Sequence, residues 1–183
     1  MIFPSANLCL FGTLASDVHL LWVDVYGSTM RRDYSYTISD VGMTYPHPHC
    51  TESLKAVAGH YWSQVSEVSA RYPGGLTDVL NALHESSGDP AIARLRLQRA
   101  LLNSTVIEAY GWTDLDVEHD FFQTNRGTRY TLSSDTRRVM LDRLLQLNHE
   151  RYAEEIAQGL HAKKRGSRAK AAAQDEGALF DVE

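Results

Sequence analysis

The chain has 183 residues and lacks most of what catalytic sites are built from. No two prolines are adjacent, so there is no Asn-Pro-Pro-aromatic tetrapeptide of the kind that surrounds a target base in amino-methylating DNA enzymes. No Gly-x-Gly occurs, which removes the glycine-rich loop that cradles dinucleotides or a methionine-derived cofactor. No lysine stands two residues after an acid, so the (Asp/Glu)-x-Lys half of a nuclease metal site is missing. No serine sits in a nucleophile-elbow context. The chain alone is expected to have no catalytic centre.

Cysteine is nearly absent as well. Cys9 and Cys50 are far too few for a disulfide scaffold, which makes a reducing cytoplasm the default expectation. The apolar N-terminus is interrupted by Asp17, His19 and Asp24 and has no basic leader, so neither a signal peptide nor a spanning helix is expected. A net charge of −5 argues against a free-standing nucleic-acid binder, although an acidic protein can carry a basic patch. The apolar fraction of 43% and charged fraction of 22% suit one sizeable core, or two small units sharing one.

Hydrophobic periodicity supplies the elements. Phe11, Leu14, Val18, Leu21, Trp22 and Val25 predict one helix from about Gly12 to Tyr26, ended by Gly27. Asp33 to Val41 alternates and is rich in Tyr, Thr and Ile, which predicts a strand leaving through Pro46 and Pro48. Thr51 caps a second helix running to about Arg71. Tyr72-Pro73-Gly74-Gly75 breaks the chain, and Thr77 to His84 forms a short helix with Leu76, Val79, Leu80 and Leu83 inside. Asp89-Pro90 opens a third long helix that stops at Gly111. Trp112 to Gln123 has no period, Arg126 to Leu132 reads as an isolated extended segment, and Ser134 or Asp135 caps the last helix. That helix should turn Met140, Leu141, Leu144, Leu145, Tyr152 and Ile156 inward. The expected fold class is α+β and mainly α, with several amphipathic helices and two short extended segments. The organisation follows as residues 1–72, a helical domain at 73–162, and a disordered charged tail at 163–183.

The candidate chemistry lies between Tyr26 and Pro48. Ser28, Thr29, Arg31, Arg32, Tyr34, Tyr36, Thr37 and Ser39 combine short hydroxyls, arginine forks and aromatic rings, with Asp40 beside them. Such groups donate to phosphate oxygens, grip phosphate or guanine in a bidentate way, and stack. The competing reading pairs Arg31 and Arg32 with Asp24, Asp33 or Asp40 and lays the tyrosines over the core. His47, His49 and Cys50 form an H-x-H-C cluster whose spacing matches no zinc pattern, so surface histidines in a turn are expected and no metal site.

The order of these segments resembles the C-terminal part of large adenine-specific DNA methyltransferases, both fused restriction–modification enzymes and methylases of phage defence. The resemblance rests on Tyr26-Gly27-Ser28-Thr29-Met30, on Asp33 to Val41 with Tyr36, Thr37, Ser39 and Asp40, and on Pro46-His47-Pro48. Downstream it includes Gly75-Leu76-Thr77, Ala109-Tyr110-Gly111-Trp112, Arg129-Tyr130-Thr131 and Leu144-Leu145-Gln146-Leu147-Asn148. Met43-Thr44-Tyr45 departs from it where phenylalanine usually precedes the prolines. The resemblance implies a partial target-recognition region at 1–72 that contacts double-stranded DNA. It also implies that the methylating domain with its S-adenosylmethionine lies upstream of Met1, as a partner domain or subunit. The alternative is a helical interaction module that docks on a separate catalytic subunit and never touches DNA.

Overall fold

The structure is a computed structural model that describes residues 7–30 and 33–160, without the side chains of 28–30 and 33–35. The expected tail at 163–183 lies outside the described residues. Among the described residues, six α-helices are joined by two short hairpins in the order α1 (Leu8–Ala15), α2 (Asp17–Tyr26), β1 (Ser28–Met30), β2 (Asp33–Ser35), α3 (Glu52–Ser69), α4 (Leu76–Ala82), α5 (Pro90–Ala109), β3 (His119–Thr124), β4 (Gly127–Leu132) and α6 (Ser134–Ala157). The fold is α+β and mainly α.

The single N-terminal helix expected from periodicity is two helices bent by 62°. Ser16 makes the break. Its hydroxyl donates to the Thr13 carbonyl at 2.6 Å and accepts from the His19 amide at 3.3 Å, so one side chain ends α1 and caps α2. Among the described residues no single helix is long and apolar enough to cross a membrane. Gly12 faces Ala58 so closely that a Cβ there would lie 2.6 Å from the alanine methyl, which is how α1 and α3 approach.

The expected strand from Asp33 to Val41 stops after three residues. β2 pairs antiparallel with β1, placing Thr29 opposite Tyr34, and Ile38–Gly42 then winds into a π-helical turn. Local side-chain bonds favour the turn over a ladder. Thr37 Oγ1 and Ser39 Oγ donate to the Asp40 carboxylate, and Thr44 Oγ1 donates to the Asp40 carbonyl at 2.6 Å. The connector through Pro46 is pinned by Tyr110, whose hydroxyl donates to the Pro46 carbonyl and accepts from Tyr45.

Other local signals are realised where they were read. Thr51 Oγ1 accepts from the Leu54 amide, and Asp89 accepts from the Ala91 amide ahead of Pro90. Gly75, at φ 61°, closes the Tyr72 turn in a conformation that suits glycine. That turn lies inside one compact unit, Met1–Leu144, whose core is built on α3 and α5. Val79 and Leu83 of the α4 segment are fully buried, whereas Leu76 and Leu80 stay partly exposed. The isolated extended segment is half of a hairpin: β4 pairs with β3 in a register that opposes Phe121 to Tyr130 and Asp120 to Thr131.

The second unit begins at Leu145, within α6. Met140 and Leu144 are buried as expected, but Tyr152 and Ile156 are 54% and 53% exposed. The apolar stripe of α6 therefore ends at Leu144, and the two later residues do not point inward.

Cys9 and Cys50 form a disulfide that ties α1 to the residue before the Thr51 cap. Two cysteines are too few for a scaffold, yet they make one staple. It also takes Cys50 out of the H-x-H-C cluster as a thiolate ligand. Among the described residues no group of three or more His, Cys, Asp or Glu is placed to hold a metal ion.

Candidate nucleic-acid interface

Of the residues singled out between Tyr26 and Pro48, the side chains of Tyr36, Thr37 and Ser39 are described, and each is bonded within the protein. Ser28 and Thr29 are in β1 and Tyr34 in β2, while Arg31 and Arg32 lie outside the described residues. Tyr36 turns toward the core. His19 Nδ1 donates to the Leu14 carbonyl, which leaves Nε2 to accept the Tyr36 hydroxyl at 3.2 Å. Thr37 and Ser39 spend their hydroxyl protons on Asp40, at 2.8 and 2.9 Å. Those two bonds hold the exposed Asp40 carboxyl below its usual pKa.

A second constellation, unread in the sequence, lies where α2, α5 and the β3–β4 hairpin meet. At its floor is Asp17, the first residue of α2 and 6% exposed. Its carboxylate accepts from Arg99 Nη2, from Asn103 Nδ2 at 2.8 Å and from Thr131 Oγ1 at 3.1 Å. The other Asn103 amide proton faces His119 Nε2 at 2.7 Å, and His119 Nδ1 donates to the Val117 carbonyl. Burial raises the Asp17 pKa, but the Arg99 guanidinium and the surrounding donors outweigh it and hold the group ionised. Burial opposes charge on Arg99 too, and the Asp17 carboxylate overrides it in turn.

Above this floor opens a hollow of about 240 Å³ whose walls include Arg99, Arg126, Arg129 and Arg137, with Asp17, Asp24 and His84. Arg99 pairs with Asp17, and Arg126 lies 3.0 Å from Asp24. Four arginines against two aspartates leave two positive charges in a chain whose net charge is −5. His84 adds none at neutral pH, because burial first and the Arg99 and Arg129 charges next lower its pKa to about 4. Arg137 makes only a long contact of 3.5 Å to the Gln123 carbonyl, and its Nε is buried without a hydrogen-bond partner. Such a hollow suits an anion with oxygen acceptors, phosphate above all. It does not suit the sulfonium centre of S-adenosylmethionine.

The buried histidines set a pH response. His19, like His84, is pushed to about 4, mainly by burial. Both folded pKa values lie below the unfolded value of 6.5, so the unfolded chain takes up protons first as pH falls. Stability is therefore flat above about pH 6.5, falls between about 6.5 and 4, and levels below that for these groups. Each extra proton on the unfolded chain costs about 1.4 kcal/mol per pH unit, so urea melts at pH 6 and 5 should differ by about 2 kcal/mol, less an allowance for the part-exposed His84. Equal midpoints at the two pH values would mean that these rings titrate normally.

Comparison with protein-family models, with curated proteins and with solved structures finds no match.

Proposed function

We propose that the chain is the C-terminal DNA-recognition portion of a site-specific adenine-N6 DNA methyltransferase, of restriction–modification or phage defence, and is inactive alone. The observation that carries the reading is the arginine-walled hollow, with its two surplus positive charges in an acidic chain. An enzyme that extrudes a base from the duplex needs a separate region to hold the backbone. Arg126, Arg129 and Arg137 are the phosphate-facing groups in this reading, with Arg31 and Arg32 as further contacts. Ser28, Thr29 and Tyr34 remain candidates for the groove side, whereas Thr37 and Ser39 serve the π-helical turn. S-adenosylmethionine and the catalytic groups belong to the methylating domain of the parent enzyme. The reading places the protein in the cytoplasm, where Cys9 and Cys50 would be held largely reduced.

The test is fluorescence anisotropy with a random duplex as salt rises from about 50 to 200 mM, where each phosphate contact contributes about one unit to the salt slope. Arg129→Ala with Arg137→Ala should weaken binding to all sequences alike and lower the slope by about 2. Unchanged affinity and slope would remove these arginines from the contact surface. A second reading, docking on a separate catalytic subunit without DNA contact, is favoured by Ile38 and Met43, which are 58% and 79% exposed on the π-helical turn. No duplex binding at low salt, with co-purification of a methylase that Met43→Asp abolishes, would select that reading.

A further inference from the structure

Two of the four arginines that line the hollow have no carboxylate to neutralise them. Arg129 stands opposite Phe122 in the β3–β4 register, and Arg137 of α6 reaches the Gln123 carbonyl, one residue along, at 3.5 Å. Among the described residues neither lies within ion-pair distance of an acid. The Arg129 charge is felt inside the hollow. After burial, which is the larger cause, it joins Arg99 in lowering the pKa of His84 on the wall. Leu20, Leu21 and Leu80 give the same hollow an apolar side. Its volume of about 240 Å³ is just under the roughly 300–1,000 Å³ of small-molecule pockets, which is room for one phosphate and the sugar that carries it.

We propose that the hollow binds a phosphate monoester, the terminal phosphate of a nucleotide, in preference to the backbone diesters of a duplex. The inference rests on the phosphate-facing role given above to Arg129 and Arg137, and it names the kind of phosphate they fit. A monoester carries about −1.5 to −2 near pH 7, which matches the two unneutralised guanidiniums, whereas each backbone diester brings a single charge. Its three terminal oxygens can accept from both arginine forks at once. Backbone diesters also come in a run, one charge per roughly 3.4 Å of each strand, and the hollow has room for one phosphate rather than a run. Leu20, Leu21 and Leu80 would lie against the carbon face of the sugar. A free nucleotide and the 5′-phosphorylated end of a strand present the same group, and the test separates them.

The test uses the full chain at about 50 mM salt with adenosine 5′-monophosphate as probe, followed by calorimetry and thermal melting. The nucleotide should bind saturably, with a dissociation constant below about 1 mM, and raise Tm. Adenosine, which lacks the phosphate, should not bind. Adenosine 3′,5′-cyclic monophosphate, a diester on the same body, should bind at least about tenfold more weakly. Arg129→Ala with Arg137→Ala should abolish nucleotide binding. Leu80→Lys and Leu80→Glu keep both arginines, and the fold tolerates either because Leu80 is already 38% exposed. The first should tighten binding and the second weaken it, each by at least about threefold. A duplex with 5′-phosphorylated ends that binds more tightly than its 5′-hydroxyl form identifies a strand end as the ligand; equal binding of the two identifies a free nucleotide. No response to the nucleotide overturns the proposal, as does equal binding of the cyclic diester or equal affinity in the two Leu80 variants. The 5′-hydroxyl duplex separates this inference from the backbone reading. If that duplex binds and the nucleotide does not, the inference falls and backbone contact stands; if the nucleotide alone binds, the reverse holds.

Discussion

Asp17→Ala should cost about 3–5 kcal/mol, a large part of the 5–15 kcal/mol by which a domain of this size is held folded. The reason is what remains after the carboxylate goes. Arg99, at 4% exposure, would keep its charge with no counter-ion. Asn103 would lose the acceptor for one amide proton, and Thr131 the acceptor for its hydroxyl. The loss spreads over three elements, because Asp17 joins α2 to α5 and to β4 across 82 and 114 residues of sequence. Replacing both charges, Asp17→Leu with Arg99→Met, should be far milder than either single change, because no buried charge is then stranded. Urea denaturation of the two singles and the double measures the coupling. A single-variant loss below about 1 kcal/mol would mean that water reaches the pair, and that it behaves as a surface ion pair.

That network marks how far the sequence could be read. Helix starts were legible because a cap and its amide are neighbours in the chain: Thr51 with Leu54, and Asp89 with Ala91. The break at Ser16 was not, since the apolar stripe runs unbroken from Phe11 to Val25 and only geometry reveals one hydroxyl serving two helices. β3 escaped for another reason. His119 to Thr124 has no alternation of its own, and its strand character comes from the partner that Gly127, at φ 90°, folds back against it. The site followed the same rule. Asp17 was visible only as an interruption of an apolar run, and Arg126 and Arg129 only as residues of an extended segment. Their meeting with Asp24, His84 and Arg99 depends on contacts that no local pattern encodes. Thr37, Ser39 and Asp40 were visible as polar groups, but not that they would satisfy one another.

Reduction of the Cys9–Cys50 bridge should cost nearly as much as loss of Asp17. The two cysteines are 41 residues apart, and closing a loop of that length removes unfolded-chain entropy worth about 4 kcal/mol in the loop-closure account. For a chain of this length each kcal/mol moves Tm by about 2–4 °C, so the expected fall is about 8–16 °C. The bridge fixes α1 beside the start of α3, where Gly12 and Ala58 already touch, so the native packing needs little rearrangement when it opens. The effect should therefore appear in stability more than in structure. Melting with and without a phosphine reductant should separate the wild type, which falls, from Cys9→Ser with Cys50→Ser, which melts at the lower temperature under both conditions. If the wild type does not respond and titrates two free thiols as isolated, the cysteines are unbridged, as a reducing compartment would keep them. If it responds, a chain working in a reducing compartment would have to function without this term.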